Sequence, residues 1–210
     1  RARVLGRRDD PDVRRLLATR VLWVQPMMNP DGVAHTTRKN ARGVDLNRNF
    51  GYRWGENWSR RPGPDDDRYI GERPFCEPES RAVAAFLRAQ PSIGVYFDVH
   101  GSSRILFTPF GGQGPPPSAG LMDLYAGLDE AMGRYNQGRD PRIVATVSSG
   151  SGYTIDWVHG ILGAAAFTLV FPGDPSAADL DALADGIVHL LERAPAFPRL
   201  RWAGRLLLRR

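Results

Sequence analysis

Apolar positions along the chain follow two alternating periods, one suited to strands and one to helices. Residues 21–25, Val-Leu-Trp-Val-Gln, form a short β-rich run closed by Pro26, and they predict a buried strand. Glu77-Pro78-Glu79 opens a helix, since proline suits a first turn and acids suit the positive end of the helix dipole. Val83, Phe86 and Leu87 give that helix one apolar side. Residues 93–99 predict a strand and 105–108 another. Leu121, Leu124, Tyr125, Leu128 and Met132 recur at helical spacing, which predicts an amphipathic helix over 119–135. Residues 142–147 again read as a strand. Thr154 is placed to cap a short helix through Trp157. The run 165–171 is apolar except for one threonine and predicts a strand covered on both faces. Ser176 with Asp179 three residues on resembles a capping box, before a last helix carrying Leu180, Leu183, Ile187, Leu190 and Leu191.

Strands and helices in this alternation predict an α/β layer structure with a largely parallel or mixed sheet. Two segments read as long loops, 51–74 and 111–118, the second containing Pro115-Pro116-Pro117. Asn29-Pro30-Asp31-Gly32 reads as a turn that follows a strand. Residues 1–196 are expected to form a single domain, and 197–210 a basic tail with poor order.

Composition narrows the function classes. The chain has 210 residues, 42% of them hydrophobic and 24% charged, which is ordinary globular usage. No apolar stretch approaches the length of a membrane-spanning helix. A single cysteine, Cys76, excludes an internal disulfide and a cysteine-built zinc site. Net charge is +5, and 27 of the 28 basic residues are arginine. The arginines are scattered and not massed in a stripe, so nucleic acid is not an expected partner.

Candidate chemistry gathers in two places. Arg38 to Phe50 collects arginines and amide side chains where a strand gives way to a loop. The planar fork of Arg48 suits a carboxylate, and Asn47 beside it supplies a neutral donor. The same residues read equally as a turn and a solvated charge run. Asp98-Val99-His100-Gly101 ends a predicted strand, where α/β folds place their sites. His100 suits a metal ligand, a base or a buried, hydrogen-bonded core position.

Asn29-Pro30-Asp31-Gly32, residues 43–50, Phe75-Cys76-Glu77-Pro78-Glu79-Ser80, Asp98-Val99-His100, Ser151-Gly152 with Ile155-Asp156-Trp157, and Phe167-Thr168-Leu169 occur in that order. Together they resemble the zinc metallocarboxypeptidases of the carboxypeptidase A type, including bacterial relatives that trim peptidoglycan peptides. The resemblance implies a three-layer α/β/α fold with a mixed, mostly parallel central sheet and one zinc at the strand ends. It implies that His100 is a metal ligand and that Arg38 stabilises the oxyanion of the scissile carbonyl. It implies that Asn47 and Arg48 grip the substrate's C-terminal carboxylate, and that Asp45 orients a zinc-bound histidine. Ile155 falls at the pocket floor and Ile143 on its wall, which implies apolar or aromatic C-terminal side chains. The implied setting is a secreted or periplasmic bacterial monomer acting on peptide or protein C-termini.

Three departures from the family pattern stand out. The His-x-x-Glu pair expected upstream of Asn29 is missing, so the N-terminal strands and the zinc motif are expected to precede this chain. His189-Leu190-Leu191-Glu192 spells the pair out of order, on a helix whose polar positions predict a solvated face. Val170 stands where the family carries its general-base glutamate, with Asp174 four residues on as a distant substitute. Ser148 stands at the position of the mobile tyrosine, with Tyr153 nearby as a replacement. Two readings follow. One is a zinc-dependent carboxypeptidase with activity in doubt for this chain, including a cell-wall peptide hydrolase as a variant. The other is an inactive pseudo-peptidase that binds peptide C-termini.

Overall fold

Three strands form a mixed sheet in a computed structural model that describes residues 21–90, 92–101, 105–110, 118–132, 150–172 and 174–193, with positions 11, 13, 14 and 18. The strands are β1 (Val95–Gly101), β2 (Ile105–Phe107) and β3 (Ala165–Phe171), in the order β1-β3-β2. β1 and β3 are parallel, with Asp98 opposite Thr168 and His100 opposite Val170. β2 runs antiparallel to β3, with Ile105 opposite Val170. One described pairing is therefore parallel and one antiparallel.

The β3 alternation builds a layer on each side. Ala165, Phe167, Leu169 and Phe171 pack with α3 (Ala119–Ala131) and α5 (Ala177–Arg193) through Leu121, Leu124, Tyr125, Leu128 and Leu190. Ala166, on the opposite face, packs with Val83, Ala84 and Leu87 of α2 (Pro78–Ala89) and with Ile155 and Trp157 of α4 (Thr154–Trp157). A strand buried on both faces needs apolar residues at odd and even positions, and β3 supplies them. The result is a sheet between helical layers, as the sequence predicts.

Ser176 and Asp179 form the reciprocal cap: Asp179 Oδ2 accepts the Ser176 N–H at 2.8 Å, and Ser176 Oγ accepts the Asp179 N–H at 3.2 Å. Other expectations are corrected. Residues 21–25 form no strand; Val21 and Trp23 are 74% and 63% exposed, and no described strand lies beside them to satisfy a ladder. Asn29-Pro30-Asp31-Gly32 is a helix start and not a turn, because Asn29 Oδ1 accepts the Gly32 N–H at 2.9 Å and caps α1 (Pro30–His35). Tyr153, not Thr154, is the cap residue of α4. Phe86 faces outward and meets the Trp23 ring edge-on at 5.2 Å. Leu180 is likewise exposed. The predicted strand 142–147 and the tail 197–210 lie outside the described residues. Among those described, no helix is long and apolar enough to cross a membrane.

One polar side chain ties the irregular segment 49–80 together. Asn49, fully buried, donates Nδ2 to the carbonyls of Ile70 (2.9 Å) and Arg73 (3.1 Å) and to Cys76 Sγ (3.1 Å). Its Oδ1 accepts from Ser80 Oγ (2.7 Å) and the Glu77 N–H (3.3 Å) at the head of α2. A long loop gains a fixed path because its backbone groups find a buried partner. Asn49→Ala leaves those groups unpaired and is expected to lower stability by about 3 kcal/mol, read as a fall in the urea midpoint.

Candidate functional site

The candidate residues arise at the carboxyl ends of the two parallel strands, on the α2 and α4 face. Asp45 initiates the cluster. Its Oδ1 accepts the Asn47 N–H at 3.1 Å and caps a single 3-10 turn, Leu46–Arg48. That turn aims Asn47 and Arg48 from adjacent positions. Asp45 Oδ2 lies 2.7 Å from Arg38 Nε and 2.6 Å from Arg38 Nη2. Arg48 Nη1 approaches the same oxygen at 4.0 Å.

Two guanidinium groups thus share one carboxylate. Arg38 stays 45% exposed, whereas Arg48 is 9% exposed. Burial pulls the Arg48 pKa down, opposed by Asp45. Arg48 Nη1 donates to the Asn47 carbonyl at 2.7 Å, while its Nε is buried without a hydrogen-bond partner among the described residues. Tyr153 covers the guanidinium, with Arg48 Cζ 3.9 Å from the ring centroid. The approach is fixed by Gly152, at φ +79°, where a Cβ would collide with the Arg48 carbonyl. Gly152 O accepts the Phe50 N–H at 3.0 Å.

Asn47 joins the turn to the sheet. Its Oδ1 accepts the Thr154 N–H at 2.8 Å and Thr154 Oγ1 at 3.0 Å. Its Nδ2 lies 3.0 Å from both Asp98 Oδ2 and His100 Nε2. His100 Nε2 is 2.9 Å from Asp98 Oδ2, and the Asp98 charge lifts the imidazole pKa against the effect of burial. Residues two apart on a strand share a face, so Asp98 and His100 meet directly.

The structure brings Arg38, Asp45, Asn47, Arg48, Tyr153 and His100 into one neighbourhood. The carboxylate partners of Asp45 are arginines and a backbone N–H, not an imidazole. Ile155, 2% exposed, packs in the core with Phe50, Trp157 and Ala166. Ile143 and Ser148 lie outside the described residues. Val170 is buried beside His100 in the ladder, and Asp174 is exposed beyond the end of β3. His189 is not on a solvated face; it packs against Gly127 of α3, while Glu192 is exposed.

Sequence reasoning missed Asp98 as a chemical partner, although its i,i+2 spacing to His100 on a predicted strand was the available signal. It also missed Thr154 as the anchor of Asn47. Among the described residues no three His, Cys, Asp or Glu side chains gather as a metal site. His100 offers one imidazole, so the described residues by themselves do not fit a catalytic zinc, which takes three protein ligands.

Asp156, at the head of α4, accepts the Phe110 N–H at 2.7 Å. Burial raises its pKa from 3.8 to about 6. Folding therefore disfavours the charged form: stability is greatest below 3.8 and declines as pH rises toward about 6. Asp156→Asn keeps an acceptor for Phe110 and is expected to remove this decline, which is on the order of 2 kcal/mol. Urea unfolding at about pH 4 and about pH 7 measures both.

The family model described as zinc carboxypeptidase, Peptidase M14, matches residues 3–182. Carboxypeptidase A5 of Macaca fascicularis is 32% identical over 168 residues, covering 70% of this chain and 38% of that protein. An inactive metallocarboxypeptidase, ECM14 of Arthroderma gypseum, is 30% identical over 129 residues, 51% of this chain and 22% of its own length. Of the solved structures, thrombin activatable fibrinolysis inhibitor superposes with a TM-score of 0.73 at 20% identity, covering 93% of this chain and 57% of that one. The chain thus spans well under half the length of these curated relatives. With ordered motifs, α/β architecture and a family match over most of its length, the chain belongs to the zinc carboxypeptidase family M14.

Proposed function

We propose that this domain is a carboxypeptidase-type reader of peptide C-termini, whose hydrolytic step is suppressed in the chain. The observation that carries the reading is the paired guanidinium groups beside Asn47: Arg38 and Arg48 share Asp45, and Arg48 Nε has no hydrogen-bond partner among the described residues. A carboxylate is the ligand whose geometry and charge answer a guanidinium of this kind. Asn47 supplies the adjacent amide. A preference for apolar or aromatic C-terminal residues rests on the family resemblance at Ile155, a core residue here, with Tyr153 the aromatic ring that lies on Arg48.

Suppression of hydrolysis follows from Val170. Valine takes no proton, and loss of a positioned base lowers rates by roughly 10²–10⁴. Asp98 does not stand in, because its carboxylate is committed to His100 and Asn47. The inactive relative, ECM14, is in keeping with such a domain. Zinc hydrolysis by a longer protein is the second reading, favoured by Arg38: Asp45 braces its Nε and Nη2 while the side chain stays exposed enough to meet a carbonyl oxygen. Zinc would then need ligands beyond those the described residues gather. An exported bacterial protein, with cell-wall peptides among its ligands, is proposed from the family resemblance alone.

Calorimetry with N-blocked dipeptides ending in Phe or Leu tests the proposal. The free carboxylate is expected to bind at least about 10-fold tighter than the C-terminal amide, and Arg48→Ala to abolish that difference. Release of the terminal residue, blocked by a chelator, would replace the binding reading with the hydrolytic one. Equal affinity for acid and amide would remove the clamp.

A further inference from the structure

We infer that Asp98 is a positioning residue that holds both Asn47 and His100 in single hydrogen-bonding states, with the His100 proton on Nε2 and the ring's lone pair on Nδ1. The inference deepens the C-terminus reading, since Asn47 is half of the proposed clamp.

The argument starts from a group with no ambiguity. The Thr154 backbone N–H can only donate, and it faces Asn47 Oδ1 at 2.8 Å. That contact fixes which end of the Asn47 amide is oxygen. Thr154 Oγ1 adds a second contact to the same oxygen at 3.0 Å. The opposite end is then the NH2, a donor, and it meets Asp98 Oδ2 at 3.0 Å. Ionised, Asp98 only accepts. His100 Nε2 lies 2.9 Å from that same oxygen. A bare Nε2 would press its lone pair against a carboxylate at hydrogen-bond distance. A protonated Nε2 donates to it instead. The neutral ring therefore carries its hydrogen on Nε2, and Nδ1 is the acceptor.

Each link comes from a different part of the chain: α4, the 3-10 turn and β1. Removing Asp98 breaks the middle of the series. Among the described residues, His100 Nε2 then keeps the Asn47 NH2 as its hydrogen-bond neighbour, 3.0 Å away, which favours the opposite tautomer because a bare Nε2 can accept that hydrogen. Asp98 thus sets the imidazole state by outcompeting a donor that sits equally close.

Nitrogen-15 NMR of the histidine rings at about pH 9, where imidazole is neutral, reads the state directly. In the wild-type chain His100 is expected to show a protonated Nε2 and an unprotonated Nδ1. Asp98→Ala is expected to shift the population toward Nδ1–H, and Asp98→Asn, which keeps an acceptor oxygen of the same shape, to restore much of the wild-type signal. A purely structural role would not move a tautomer ratio in this pattern. Wild-type His100 found with its proton on Nδ1 overturns the inference, whether or not the alanine variant folds. So does an Asp98→Ala spectrum unchanged from wild type. Calorimetry with the free-carboxylate dipeptide, run in parallel, separates the two proposals. Absence of binding by the wild type sinks the clamp and leaves the tautomer result standing.

Discussion

One carboxylate organises the cleft. Asp45 caps the turn that presents Asn47 and Arg48, and its other oxygen restrains Arg38. A single anion between two cations imposes a constraint: Asp45 holds both guanidinium groups near the turn that it caps. If Asp45 were neutral, the two guanidinium groups would repel and the 3-10 turn would lose its cap. A second acid, Asp98, stands on the far side of Asn47, where it meets the Asn47 amide and His100 and neither guanidinium. The arrangement places a ligand requirement inside the fold's own electrostatics, within a setting that burial makes less tolerant of unpaired charge.

Burial sharpens that requirement unevenly. Arg38 can be solvated, so water answers part of its charge. Arg48 lies under Tyr153 and, among the described residues, its guanidinium meets the Asn47 carbonyl and a distant Asp45 oxygen. An aromatic face stabilises a guanidinium but provides no acceptor for its N–H groups. The unmet Nε is a donor that an arriving acceptor would satisfy. The close backbone contact at Gly152 keeps its segment pressed against the turn.

Much of the fold was legible because periodicity reports burial on both faces. The run 165–171 could be assigned to a central strand, and Leu121 to Leu128 to a packed helix face, from spacing alone. Residues 21–25 show the limit. Their apolar character describes what they need, but a strand also needs a neighbouring ladder, and no described neighbour supplies one. At the site, the Asn47-Arg48 pair was visible as residue type and order. The role of Asp98 was legible only in part: its spacing to His100 on a predicted strand put both on one face, but not that Asn47 would meet the same carboxylate oxygen. Thr154 and Asn47 are 107 positions apart, and no local pattern connects them.

The valine at 170 is also easier to understand once Asp98 is placed. His100 has Val170 opposite it in the ladder and Asp98 two residues before it on the same face. A glutamate at 170 would stand one diagonal from Asp98, about 7 Å between attachment points. Two carboxylates at that range around one imidazole would raise each other's proton affinity. Charge at position 98 and charge at position 170 are thus competing solutions for the same face of the sheet. This chain has taken the first, and β-branched Val170 fills the second position between Ile105 and His100 with a side chain that suits a strand. An uncharged side chain at 170 thus leaves the Asp98–His100 pair without a second carboxylate beside it on that face of the sheet.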